Sequence, residues 1–205
     1  MIAIALVKGD GEEPDRTWMA LSDGETRLVA VHVLHDLPHL VVESLFGIDH
    51  GLWGVLAQGG FAPANRAVSA RGARRVRLVT DAPLDELAQR HWVDHMVAKT
   101  VTNAVVNRWG DGPDTAEGVR ARLQPGASLV EPAAHAAGST AEGDAYRRGI
   151  RALLERLGDD TIERAIRGVR HALALWERLP PGETLHAAWP LPAAFLEAPE
   201  AADAG

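Results

Sequence analysis

Residues 25–46, "ETRLVAVHVLHDLPHLVVESLF", change their period in mid-run. The first part is rich in β-branched and apolar residues and reads as a strand, while Leu37, Val41, Val42, Leu45 and Phe46 recur at helical spacing. A chain that crosses from one period to the other so abruptly is confined to folds in which a sheet and a helix share one core.

The rest of the chain extends that expectation. Residues 2–9, 17–23 and 25–34 read as short strands, with Asp23-Gly24 as the hairpin signal between the last two. The spacing predicts a helix from Asp36 to Phe46, stopped by Gly47, and a short helix over 52–58. A further strand is expected at 76–80, after an arginine-rich loop. Residues 81–110 read as the clearest helix, with Asp81 as cap, Pro83 in the first turn, Asp85 and Glu86 beside the N-terminal dipole, and Gly110 as the stop. Residues 111–143 are rich in Gly, Ala and Pro and read as a linker or mobile loop, with a helical turn around Thr115 to Leu123. Two helices follow, the second opened by Asp160 and Glu163 at capping-box spacing, and "GETLHAAWPL" reads as a strand returning to the N-terminal sheet. The fold class is therefore α+β, a small and mostly N-terminal antiparallel sheet packed with a helical body. Its expected divisions are 1–110, 111–143, 144–192 and a disordered tail over 193–205.

Composition narrows the chemistry. The formal charge of −7 over 205 residues argues against a general grip on nucleic acid or an acidic membrane. With no cysteine, disulfides, thiol nucleophiles and thiolate ligands are excluded, so a metal would be held by imidazole and carboxylate, which suits zinc or iron. Neither a secretory signal nor a membrane-length apolar run is legible, and a cytoplasmic setting is the default expectation.

Histidines and carboxylates supply the candidate site. His35, His39 and Glu43 stand at i, i+4 and i+8, one ridge along the border between core and solvent if all three are helical. His91 and His95 repeat the four-residue spacing on the long helix, in the stripe formed by Leu84, Leu87, Ala88, Ala98, Val105 and Trp109. The metal-ligand set expected is His35, His39, Glu43, His91 and His95, with Asp36 or Glu43 moving protons. The competing reading makes Asp36 an N-cap and Pro38 a first-turn residue, which leaves His35 outside the helix and the histidines hydrogen-bonded within the core.

"HDLPH" differs from the zinc-protease H-E-x-x-H in its shorter acid and its proline, and His50 lies too far along for the related three-histidine pattern. The His-Asp pair of HD-type phosphohydrolases needs a histidine on an earlier helix, which His32 cannot supply. The chain is more similar to a largely actinobacterial set of uncharacterised proteins sharing "HDLxHxxVE", "GxWG" and "WxxLPPGExLxxxWP", here residues 35–43, 51–54 and 176–190. That resemblance spans most of the chain and implies a fold, not an activity.

Three functional readings follow. The first is a divalent-metal protein performing hydrolysis or lyase chemistry on a small molecule; the second is a non-catalytic interaction protein with structural histidines. The third is a cofactor-free enzyme using histidine and carboxylate as acid and base. Arg66, Arg71, Arg74, Arg75 and Arg77 form a basic loop that reads as solvated surface or as an anion-binding patch. Oligomeric state has no signature in the sequence.

Overall fold

The computed structural model describes residues 1–20, 26–30, 33–58, 91–107, 110, 112–137 and 139–196. The arginine-rich loop, the strand expected at 76–80, the first part of the long helix and the tail beyond 196 lie outside the described residues.

Four strands, β1 (Ile2–Val7), β2 (Arg16–Ala20), β3 (Thr26–Ala30) and β4 (Thr184–Trp189), form one antiparallel sheet in the order β3-β2-β1-β4. The register pairs Ile4 with Met19 and Ala187, and Leu6 with Thr17 and Leu185. Ile4, Leu6 and Met19 are buried and belong to the main apolar cluster, so this face of the sheet meets the helical body. Lys8, just beyond β1, donates through Nζ to the carbonyls of Trp176 and Glu177 at 2.9 Å each. It thereby ties the sheet to the C-terminal turn of a helix, where a cation is favoured.

Eight helices are seen among the described residues: α1 (Val33–Phe46), α2 (Leu52–Ala57), α3 (Trp92–Val106), α4 (Ala116–Arg122), α5 (Glu131–His135), α6 (Thr140–Arg156), α7 (Asp159–Arg178) and α8 (Ala193–Leu196). The central one is α1, which packs on α2, α3 and α7; α6 lies on the other side of α3. Val33, Leu37, Leu40, Val41, Val42 and Phe46 of α1 are all buried. Close approach of α7 depends on Gly168, where a Cβ would stand 3.0 Å from Val41 Cγ1. At its C-terminal end α1 is closed by Gly47, with φ of 60°, and by Arg156 Nη2, which donates to the Phe46 carbonyl at 2.7 Å.

Several boundaries differ from the sequence expectation for identifiable reasons. Helix α1 opens at Val33, so Asp36 sits in its first turn and is not its N-cap, and His35 is helical. Pro38 is inside the helix, where it has no N–H to give the carbonyl four residues earlier. Helix α3 ends at Val106, short of Gly110, because Asn107 adopts the left-handed conformation at φ 51° and its side chain bonds Gly112 O and Asp114 Oδ1. Within the Gly-, Ala- and Pro-rich residues 111–143 lie α4, α5 and the start of α6. Val119, Leu123, Val130 and Ala134 of that segment are buried. Its caps are Thr115, which accepts from Gly118 N, and Ser139, which accepts from Glu142 N. Glu163, expected in a capping box at the start of α7, instead accepts from Ala116 N at 2.6 Å and so helps fix the start of α4.

The α3–α6 contact contains a buried polar pair, Thr100 Oγ1 and Tyr146 Oη at 2.7 Å. Tyr146→Phe strands the threonine hydroxyl in the core and is expected to cost about 1–3 kcal/mol in urea unfolding. Adding Thr100→Val should recover part of that loss.

Candidate functional site

Where α1 and α3 meet, the chain gathers most of its histidines. Glu43, two turns from the end of α1's first turn, has a side chain with no solvent exposure (0%). Its Oε1 accepts from Leu52 N at 2.8 Å and its Oε2 from Trp53 N at 2.9 Å, the first amides of α2. The third partner is His39 Nδ1, 3.0 Å from Oε1. Because an ionised carboxylate only accepts, this bond places the proton of a neutral His39 on Nδ1 and leaves a lone pair on Nε2. Gly51 makes the arrangement possible: a Cβ there would lie 2.3 Å from the carboxyl carbon of Glu43.

Asp36 is held in a related way. Its Oδ1 lies 3.0 Å from His35 Nδ1, while its carbonyl accepts from Trp53 Nε1 at 2.9 Å. Asp36 and His39 are 6% and 2% exposed, and both Asp36 Oδ2 and His39 Nε2 are buried without a hydrogen-bond partner. The rings of His35 and His39 are 5.0 Å apart, and Thr102 Oγ1 of α3 is 3.4 Å from His39 Nδ1.

The second group lies beside the first. His50, in the turn between α1 and α2, stacks on His91, the residue preceding α3, with ring centroids 3.9 Å apart and planes inclined by 3°. Asp94 Oδ2 is 3.6 Å from His50 Nδ1 and 3.7 Å from His91 Nδ1. These three residues offer ligand atoms within 4.8 Å of one another and could hold a metal ion. An ion at about 2.0–2.1 Å from each nitrogen must lie in the plane of each ring. Parallel stacked rings do not share such a point, so one imidazole has to turn for both to bind.

Of the residues singled out in the sequence, the structure brings His35, Asp36, His39 and Glu43 onto one face of α1. His95 comes near enough for the charges of His39 and His35 to act on it. His91 is drawn to His50 and Asp94. Asp94 was legible only as the residue three positions after His91, and His50 only as a histidine outside the spacing of named hydrolase patterns. A separate cleft of about 460 Å³, lined by Arg120, Arg147 and Arg151 over an apolar floor, contains none of these histidines.

No protein-family model, curated protein or solved structure matches this chain. No helix among the described residues is long and apolar enough to cross a membrane.

Burial, reinforced by the charges of His39, Lys99 and His35, lowers the His95 pKa from 6.5 to about 4. Above the unfolded value this ring is neutral in both states and adds no pH dependence. As pH falls from about 6.5 towards 4 the unfolded chain takes up a proton that the folded chain refuses, so stability is lost across that window and levels off below it. For chelator-treated protein the loss from this residue should not exceed about 3 kcal/mol. Urea unfolding between pH 7 and 4 should show it, and His95→Gln should flatten the slope.

Proposed function

We propose that the protein binds a divalent metal ion at the seam of α1 and α3, through His50, His91 and Asp94, and acts on a small molecule by hydrolysis or elimination. The observation that carries this reading is the approach of three donor atoms to within 4.8 Å with no hydrogen bond joining them. Imidazole and carboxylate donors suit zinc or iron(II). The side chains of His50, His91 and Asp94 are 38%, 21% and 53% exposed, which leaves coordination positions facing solvent and a path for substrate.

A bound divalent ion supplies a Lewis acid and a water acidic enough to ionise near neutral pH. The chain's own part is to hold that ion against a fixed wall. His91 is anchored at the start of α3, and its carbonyl receives His95 N at 2.9 Å. Of the two carboxylates read from sequence as proton carriers, Glu43 has both oxygens engaged. Its contribution is to orient His39.

The stacked His50–His91 pair also favours a second reading, in which these histidines are packing groups of a protein that works through a partner. The two readings part on metal. Protein made without a histidine tag, stripped with chelator and dialysed against zinc, should retain the ion, and its melting temperature should rise with the metal. Asp94→Ala should lose one equivalent, or bind it at least about tenfold more weakly, with little change in the metal-free melting temperature. Equal zinc content in the variant and the parent would remove the proposed site.

A further inference from the structure

The cleft of about 460 Å³ lies between the end of α4, the turn that leads to α5, and one face of α6. Its floor is hydrocarbon: Leu123, Val130 and Ile150 are buried, and Leu154 stands beside them. Small-molecule sites commonly have this form, about 300–1,000 Å³ of mostly apolar lining with a few placed polar groups.

Two arginines hold the cleft in shape. Arg120 of α4 crosses to the C-terminal end of α6. There its Nε donates to Asp159 Oδ1 at 2.7 Å, Nη1 to the Leu154 carbonyl at 3.0 Å and Nη2 to the Leu157 carbonyl at 2.6 Å. Arg147 of α6 donates through Nη2 to Oε2 of Glu131, the first residue of α5, at 2.7 Å, and Glu131 Oε1 accepts from Gly126 N at 3.1 Å. Asp144 Oδ1 takes Nη1 of the same guanidinium. The chain from α4 to α5 is thus pinned to α6 at points two turns apart, and both guanidinium groups are already matched by acceptors of the protein.

Arg151 differs. It stands one turn after Arg147 and one turn before Glu155, between the two attachments, and it is exposed. Among the described residues no hydrogen bond or ion pair engages Arg151 or Glu155. An uncommitted guanidinium therefore borders an apolar floor whose walls are fixed in advance.

We infer that this cleft binds a small monocarboxylate with a compact apolar body, its carboxylate paired with Arg151 and its body laid on Leu123, Ile150 and Leu154. A guanidinium meets a carboxylate in a planar two-bond fork, which suits Arg151 to that group. One negative charge is what the site accommodates, because Arg120 and Arg147 are compensated and Glu155 opposes a second. The cleft holds none of His50, His91 and Asp94, so its ligand needs no metal.

Methyl-resolved NMR of the full-length, chelator-treated protein tests this, with phenylacetate as the probe. Phenylacetate should shift the methyl signals of Ile150, Leu123 and Leu154 and saturate at concentrations up to about 10 mM. It should also raise the melting temperature. Phenylacetamide, of the same shape without the charge, and phenyl phosphate, a dianion, should each bind at least about tenfold more weakly. Arg151→Gln should weaken phenylacetate at least about tenfold and leave phenylacetamide unchanged. Glu155→Gln should narrow the gap between phenyl phosphate and phenylacetate. Both substituted side chains are exposed, so neither change disturbs the core. Phenylacetate that leaves those methyls unmoved, or moves only others, overturns the inference. Equal affinity in the parent and Arg151→Gln does the same, as does phenylacetamide binding as tightly as the acid. A gap that Glu155→Gln leaves unchanged removes the assigned preference for a single charge.

Discussion

A fully buried carboxylate stands at the junction of three elements. Glu43 leaves α1, takes the first two amides of α2 and holds His39 against α3 through its imidazole. An ionised carboxylate with no exposure is strongly unfavourable unless its lone pairs are used, and here two backbone donors and one imidazole use them. The turn that returns α2 to α1 is shaped by the same need. Gly51 keeps Cβ volume away from the carboxyl group, and Gly54 lets the α2 backbone pass the Asp49 carbonyl, which a Cβ would approach to 1.9 Å. The path of residues 47–54 is thus dictated by one side chain of the preceding helix, with Ile48 N bonded back to the Glu43 carbonyl at 3.0 Å.

The polarity of the seam follows from that junction. Once Glu43 fixes His39, the imidazole cannot turn to satisfy its own Nε2, and α3 meets this edge with His95, which resists protonation where it lies. The α1–α3 interface therefore carries imidazole and hydroxyl groups near Glu43, while Val41 and Phe46 pack in apolar surroundings elsewhere on α1. A core built for stability alone would fill such positions with aliphatic side chains, because ionic networks in the interior seldom outperform well-packed hydrocarbon.

Much of this was readable in the sequence where periodicity dominates. The α+β class, the pairing strands at the N-terminus and the ridge His35–His39–Glu43 all follow from spacing. The start of α1 was not readable, because Asp36 and Pro38 together imitate a helix beginning, and only the burial of Val33 and Leu37 overrides that local signal. Within residues 112–137 the helical turn expected around Thr115 to Leu123 is present as α4, while composition hid α5. Helices α4 and α5 are short and Ala-rich, and they are held by tertiary contacts, such as Glu163 on Ala116 N and Arg147 on Glu131, which no local window contains. The destination of Glu43 was also hidden. A carboxylate at i+8 of a histidine ridge looks like a ligand, and its capture by the amides of α2 depends on a turn geometry that two glycines permit.

The two groups of donors also differ in how far the protein has arranged them in advance. His50, His91 and Asp94 lie close together and stay partly exposed, and His50 is placed only by its stacking on His91 and by Asp94 Oδ2 at 3.6 Å. An ion held there would have to reorganise a stacked pair. Asp36 and His39 are the reverse: each is buried, and its orientation is fixed by His35 or Glu43. Affinity rises when orientation is settled beforehand and falls with every group that has to be ordered on binding. Asp36 and His39 are thus the more rigidly held side chains, and His50, His91 and Asp94 the more accessible ones. One turn of α3 runs from His91 to His95, whose N–H donates to the His91 carbonyl, so His91 beside Asp94 and His95, on which the charges of His39 and His35 act, belong to the same short length of helix.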